Sequence, residues 1–356
     1  MAYVYKHFIP QNTALKGAKS IEVYKGNEKV CSIPLGRMAH PIGTKRYSFG
    51  VVSDTHLCPE ITSGNTGAIV SARFDSALTW FEEQGAVFVA HCGDMVNIGF
   101  ENPKGTYNPA QYAEYQRIRN LHPNLPIYCS AGNHESYNAN ICDYEDEYKA
   151  YVGHDIRLTV EYDDDVFIFM GMPKTTTLYV DGSTLPVPEL AWLETQLANN
   201  KSKRCFVFIH PYMDGDSGDT LDKNPNDLLP VGYVTNIIKS ALANHGRAVL
   251  FHGHSHFMPS MQEIDAMTNY TDTNGFPSVH IPSLGWSAYV NESGECVKDT
   301  NEGFGAIVDV YDDFIVVNGR DFVRNQGSPL GTYKIDTTLQ TVAANTFTDS
   351  TGTIKT

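Results

Sequence analysis

Residues 126–135, Pro126-Ile127-Tyr128-Cys129-Ser130-Ala131-Gly132-Asn133-His134-Glu135, begin as a short apolar run and break into a glycine, an amide, an imidazole and a carboxylate. An apolar run ending in glycine predicts a buried strand that empties into a tight turn, the place where open α/β sheets carry their chemistry. Four other runs end in the same way. Residues 49–53 deliver Asp54 and His56, and 87–90 lead past His91 and Cys92 to Gly93 and Asp94. Residues 205–209 deliver His210, and 248–251 deliver His252, His254 and His256. One donor after a strand is an accident, whereas five such endings in chain order are hard to explain by core packing.

The segments between these runs predict helices. Ile69, Val70, Phe74, Ala77, Leu78 and Phe81 recur at helical spacing until Gly85 stops the pattern. Asn108-Pro109 is a cap and first-turn pair for a helix through about Leu121. Strand, helix, strand, helix, strand makes parallel strands whose carboxyl ends share one edge. That geometry brings Asp54, His56, Asp94, Asn133 and His134 to one rim. Farther on, 167–170, 205–209, 248–251, 278–284, 305–311 and 314–318 predict strands, and 189–197 and 227–244 helices, the latter irregular at Pro230. Two packed β layers with helices outside would bury all of these. Residues 1–46 predict a small β appendage with a hairpin over 20–24 and 30–33, either covering the core or attaching the protein to an assembly. The domain itself is expected over 47–326, followed by a Thr, Ser and Gly-rich extension over 327–356.

Composition narrows the function classes. A formal net charge of −15 disfavours a nucleic-acid footprint, which depends on clustered Lys and Arg. The acidic cluster 143–147 predicts a solvated helix face. With no apolar run of about 18 residues a membrane span is not expected, and no basic segment followed by an apolar stretch marks Sec export at the start. A cytoplasmic location, or release by another route, is the expectation. The 7 cysteines are odd in number and show no CxxC spacing, so a reducing compartment fits better than a disulfide framework.

The candidate ligands are Asp54, His56, Asp94, Asn133, His210, His254 and His256. Mixed carboxylate, amide and imidazole donors in this number exceed one tetrahedral zinc and suit two neighbouring divalent ions that share a carboxylate. Asp54, His56 and His256 are assigned to one ion, Asn133, His210 and His254 to the other, and Asp94 to both. His254 and His256 alternate just past a strand, so one segment can present an imidazole to each ion, and Gly253 permits the close approach. Such donors accept manganese, iron, zinc or cobalt. His91 and His252 are expected either to support the ligands from behind or to be structural, and Glu135 to be a hydrogen-bond acceptor that fixes a loop. Tyr212, Asp214 and Asp216 either line a substrate mouth or form a polar loop; 257–277 is a lid or surface packing.

Asp54-Thr55-His56, Gly93-Asp94, Gly132-Asn133-His134-Glu135, His210 after its strand and Gly253-His254-Ser255-His256 together resemble the five ordered motifs of the calcineurin-like metallophosphoesterases. The resemblance spans roughly residues 47–290. It implies a four-layer α/β/β/α sandwich of two mixed sheets, the same division of ligands between two divalent or mixed-valence ions, and His134 as the general acid that protonates the leaving group. It also implies attack by water activated between the ions. The Gly93-Asp94-Met95-Val96-Asn97 run lacks the Asp-Arg-Gly continuation of protein serine/threonine phosphatases, which disfavours protein dephosphorylation. Asn97 stands where purple acid phosphatases place a tyrosine ligand. The motifs are more similar to the cyclic-nucleotide and glycerophosphodiester branch, to bacterial exported phosphatases and to DNA-repair nucleases, the last disfavoured by the negative charge, implying a small phosphodiester or phosphomonoester as substrate. A nuclease of the same chemistry is one alternative. The other is a non-catalytic metal-binding or structural protein, virion-associated in the manner that the appendage and tail weakly resemble.

Overall fold

The computed structural model describes residues 20–25, 28–34, 44–59, 66–97, 108–136, 144–171, 187–211, 233–256, 270–271, 276–290, 296–299, 301–338, 347–348 and 354–355. β1 (Ser20–Lys25) and β2 (Glu28–Pro34) pair antiparallel as the hairpin expected there. Then follow β3 (Tyr47–Val52), α1 (Thr66–Glu83), β4 (Val89–His91), α2 (Asn108–Leu121) and β5 (Ile127–Cys129). A short α3 (Asn133–Ser136) leads to α4 (Tyr144–Val152), the edge strand β6 (Arg157–Tyr162), β7 (Asp165–Met170) and α5 (Val187–Asn199). β8 (Arg204–Phe208), α6 (Tyr233–His245), β9 (Ala248–His252), β10 (Tyr270–Thr271) and β11 (Ser278–His280) come next. A hairpin of β12 (Ser287–Val290) and β13 (Cys296–Asp299) precedes β14 (Phe304–Val310), β15 (Phe314–Asp321) and β16 (Gln326–Asp336). β17 (Phe347–Thr348) and β18 (Ile354–Lys355) pair near the end.

Two mixed six-stranded sheets result, ordered β16-β15-β14-β3-β4-β5 and β10-β11-β9-β8-β7-β6. β3, β4 and β5 are parallel, as are β7, β8, β9 and β11, while the outer pairings are antiparallel. Period-two alternation explains the layering, because successive side chains of a strand face opposite sides. In β7, Phe167 and Phe169 pack toward the other sheet with Phe49, Phe88, Phe206, Phe208 and Phe251. Val166 and Ile168 pack on the opposite face with Leu190, Leu193, Ile238 and Leu242 of α5 and α6. On the outside of the first sheet, Val70, Phe74, Leu78 and Phe81 of α1 join Tyr115 and Ile118 of α2 and Tyr148 of α4. Helices, sheet, sheet and helices are the four expected layers. The aromatic middle is stacked and edge-on, with Phe169 and Phe208 rings 4.6 Å apart and Phe49 and Phe206 rings 5.3 Å apart. Each such ring contributes about 2 kcal/mol by leaving water.

At the ends of the strands remote from the donors, Arg204 ties the sheets together. Its guanidinium makes a bidentate pair with Asp165 (3.0 and 2.6 Å), and its Nη1 donates to Tyr311 O at 2.8 Å. Tyr47 donates its hydroxyl to the same carboxylate at 2.5 Å. The burial of this charge is tolerated because its donors are matched.

The structure departs from the sequence reading, or adds to it, at several points. Ile69 is 41% exposed, although it lies in the helical apolar pattern of α1. β6 goes unpredicted because exposed Arg157 and Glu161 bracket its half-buried Leu158, Thr159 and Val160 at the sheet edge. The strand expected over 278–284 ends at His280, and the chain then turns into a loop. β16 crosses the boundary expected between 326 and 327: it pairs with β15 in register from Phe314↔Asp336 to Asp321↔Gln326 and buries Ile335. Its Gly and Thr content hid it. Residues 227–232 lie outside the described residues, and α6 is described from Tyr233. In the acidic cluster Asp146 is exposed and Glu145 and Glu147 are half-buried. Cys58, Cys92, Cys129 and Cys205 are buried. Among the described residues no helix is long and apolar enough to cross a membrane.

Candidate metal centre

The carboxyl ends of β3, β4, β5, β8 and β9 deliver Asp54, Asp94, Asn133, His210 and the pair His254 and His256. The backbone there is bent out of ordinary conformation. Among the described residues seven non-glycine residues have positive φ, and five of them are Asp54 (51°), His56 (49°), Asp94 (55°), His254 (75°) and His256 (60°). Left-handed backbone in non-glycine residues is costly and persists where surrounding contacts enforce it. Those contacts are visible. Asp54 N–H donates to Gly93 O and His56 N–H to Asp94 O, both at 3.0 Å, so the first two loops are zipped together. Close approach supplies the rest. A Cβ on Gly132 would overlap Asp94 Oδ1, and one on Gly253 would overlap Ser53 Oγ and Asp54 Oδ2, so only glycine fits at either position.

Two donor clusters converge, and Asp94 is in both. Asp54, His56, Asp94 and His256 bring one atom each within 4.8 Å of one another, as do Asp94, His210 and His254. Asp94 Oδ2 lies 3.0 Å from His210 Nε2 and 3.8 Å from His56 Nε2. Asp54 Oδ2 accepts from Ser53 Oγ–H (2.5 Å) and His254 N–H (3.0 Å). Asp54 Oδ1 is buried without a hydrogen bond, 3.0 Å from His256 Nε2. Carbonyl oxygens only accept, so His210 donates Nδ1–H to Cys92 O (2.8 Å) and His256 donates Nδ1–H to Trp286 O (3.1 Å). Each ring thereby turns Nε2 inward, the outer-partner arrangement that orients metal-bound histidines. Nitrogens that ordinarily avoid one another meet here: His56 and His256 approach through Nε2 at 3.0 Å, and His254 Nδ1 lies 3.2 Å from His210 Nε2.

The electrostatics agree with a cation site. Burial disfavours charge on Asp54 and Asp94, yet the facing imidazoles hold both carboxyls well below the usual range. Burial, with His134 and His256 beside it, takes His56 well below its usual value, and burial with His210 takes His254 down to about 3. Burial opposes the charge on His210 too, but Asp94 and Asp54 outweigh it and hold it up to about 9. A cation that takes Nε2 would displace that proton. Ionised carboxylates, neutral imidazoles and an orphaned buried oxygen fit a pair of divalent ions, and the mixed donors suit manganese, iron or zinc.

Asn133 is buried at the start of α3, between Gly132, which packs on Asp94, and His134, whose N–H donates to Asp94 Oδ1 at 2.9 Å. The His134 side chain is 19% accessible, against 1% for Asp94, and meets the His56 ring edge-on at 4.5 Å. Its Nε2 lies 3.9 Å from Asp94 Oδ2, so it stands at the mouth beside the donors.

Glu135 accepts hydrogen bonds, as expected. Oε2 takes the N–H groups of Gly132 (2.6 Å) and Asp94 (2.9 Å), and Oε1 that of Val96 (3.1 Å). Burial and the nearby Asp94 raise its carboxyl to about 7. Glu135→Ala strands three buried N–H groups at about 1–3 kcal/mol each, so chemical denaturation is expected to show a loss of at least about 3 kcal/mol; a loss below about 1 kcal/mol would contradict this role. His91 Nδ1 accepts from Gly93 N–H (3.1 Å) and its Nε2 meets Thr55 Oγ1 (3.1 Å), which fixes the Asp94 turn. His252 packs its ring against His280 (5.5 Å), which meets Ser255 Oγ at 2.8 Å, steadying the segment between His254 and His256. Residues 212–216 lie outside the described residues, as does most of 257–277.

A sixth loop was not anticipated. Residues 281–286 follow β11 and bring Trp286 onto His256, with ring centroids 3.8 Å apart, and to 5.6 Å from His56. The only available signal was a Pro-Ser-Leu-Gly-Trp run after an apolar stretch, with no metal donor in it.

No curated protein matches the sequence. Among solved structures, the chain is similar to a dimetal phosphatase from Danio rerio, with 13% identity and a TM-score of 0.58, covering 83% of this chain and 100% of that one. It is also similar to GAP50, the anchor in the inner membrane complex of Plasmodium, with 11% identity and a TM-score of 0.55, covering 84% of this chain and 91% of that one. At these identities the likeness is one of fold. The family model described as calcineurin-like phosphoesterase matches residues 47–258, more than half of the chain and all five donor-bearing strand ends. The protein thus belongs to the calcineurin-like phosphoesterases, and that membership together with its two donor clusters supports metal-dependent phosphoester hydrolysis.

Proposed function

We propose that the protein hydrolyses a small phosphodiester or phosphomonoester at two divalent cations held in common by Asp94. Asp54, His56 and His256 would hold one cation and Asn133, His210 and His254 the other. When bound, such a pair acidifies water and neutralises the phosphoryl oxygens. The remaining work falls to the chain. Ser53 and the His254 N–H orient the Asp54 carboxylate, Cys92 O and Trp286 O orient two imidazoles, and the Glu135 carboxylate joins the Asp94 turn to the Gly132 turn. His134 gives a proton from Nε2 to the departing ester oxygen. The observation supporting this reading most strongly is that Asp94 Oδ2 faces His210 at 3.0 Å and His56 at 3.8 Å, so that one carboxylate serves both clusters. The net charge of −15 favours a small ester over a nucleic acid.

A binding role without turnover is the second reading. The Plasmodium relative of this fold is described as an anchor, and a fold by itself does not assign catalysis. Manganese-loaded protein assayed on bis(p-nitrophenyl) phosphate and p-nitrophenyl phosphate separates the two. Turnover is expected, with the diester faster if the diesterase branch applies. Full metal loading with neither ester hydrolysed would overturn the catalytic reading in favour of the anchor-like one.

A further inference from the structure

The loop at 283–286 holds the first donor cluster at several points. Asp54 sits at φ 51°, and its carbonyl accepts both Ser283 Oγ–H (2.8 Å) and Gly285 N–H (3.0 Å). One residue earlier, Ser53 O accepts Leu284 N–H at 2.9 Å. Ser283 Oγ also accepts Trp286 N–H at 3.0 Å, which closes the loop on itself. Trp286 then supplies the carbonyl that fixes His256 and the ring that lies over His256 and near His56. These contacts fall on Asp54, His56 and His256, the three residues assigned to one cation.

The loop is itself pinned from outside the site. Arg73 of α1 is 7% exposed, and its Nη1 donates to Leu284 O (3.0 Å), Gly285 O (2.6 Å) and Glu302 O (2.8 Å). Gly303 leaves room for it, because a Cβ there would lie 2.5 Å from Arg73 Cδ. The Glu302 carboxylate pairs with Arg324, which also pairs with Asp321, each at 2.5 Å. A buried guanidinium is costly unless its donors are matched, and here two carbonyls of the loop and that of Glu302 match Nη1. Removing Arg73 leaves those carbonyls buried and lets the loop relax away from Asp54.

We infer that Arg73 is a positioning residue for one of the two cation sites, acting through Ser283 and Trp286 on Asp54, His56 and His256. This rests on the proposed metal reading of those side chains. Partners outside the ligand set typically change metal affinity by about 10- to 100-fold, and that is the size expected here for one ion of the pair, with the other within about twofold. The test uses the full chain titrated with Mn²⁺, followed by calorimetry and by electron paramagnetic resonance, which separates a spin-coupled pair from an isolated ion. Arg73→Met and Ser283→Ala are expected to show an isolated-ion spectrum at metal concentrations that give the wild type a coupled pair. Arg204→Lys is the control, a buried arginine at the remote ends of the strands: it lowers the melting temperature and keeps the coupled pair. If Arg73→Met does not fold, Ser283→Ala and Trp286→Ala carry the test. Retention of both wild-type affinities in the folded variants would overturn the inference while leaving the proposed function intact. A wild type that binds fewer than two ions would instead remove the metal reading on which it rests.

Discussion

Asp94→Ala is expected to bind neither ion of a coupled pair and to lose about a thousandfold in kcat/KM. The size follows from losing several kcal/mol of charge stabilisation at about 1.4 kcal/mol per tenfold. Asp94 is the one carboxylate in both donor clusters, it accepts the His134 N–H, and its Oδ2 faces His210. Removing it leaves His56, His210 and His134 converging on an empty volume with one anion fewer. Asp94→Asn separates charge from shape, since the amide keeps an oxygen for the His134 N–H and loses the ionic bridge. Elemental analysis of dialysed protein checks both variants, and an Asp94→Ala protein that still carries two ions would contradict the assignment.

His134→Ala gives the second large effect, and its signature lies in the leaving group. General acid catalysis is typically worth about 10²–10⁴-fold. An alkyl phosphodiester, whose departing alkoxide needs a proton, is expected to lose activity in that range. A p-nitrophenyl ester, whose leaving group is already a weak base, should lose much less. Metal content stays at the wild-type level, because His134 stands at the mouth with its Nε2 3.9 Å from Asp94 Oδ2 and belongs to neither donor cluster. Equal losses on the two esters, or loss of metal, would reassign His134 to a structural part.

Much of this architecture was legible in the order of residues. Each donor follows an apolar run, and parallel strands put the ends of such runs on one edge, so Asp54, Asp94 and His210 could be brought together without coordinates. α1 and α2 were marked by apolar spacing and by caps. Side chains that act through geometry alone left little trace. Arg73 occupies a helix whose pattern advertises only its apolar face, and its partners are carbonyls, which every residue carries. The loop at 283–286 works through a hydroxyl, two N–H groups and an indole, and none of these is a metal-type donor. β6 and β16 failed to announce themselves for a different reason: edge strands keep one side in water, so they carry the polar residues that also compose loops.

The Glu135 carboxylate shows how far residue type alone can be taken. Beside Asn133 and His134 it could have been an acid, a base or a ligand. Its three backbone donors make it the joint between the second and third loops, and that use depends on a fold which only distances reveal.

The central claim is that one carboxylate is shared by two cations, and anomalous scattering at the manganese edge from crystals grown with excess Mn²⁺ tests it most directly. Two peaks about 3.5–4 Å apart are expected on either side of Asp94, one beside Asp54, His56 and His256 and the other beside Asn133, His210 and His254. One peak or none at full occupancy, with His210 and His254 turned away from Asp94, would contradict it.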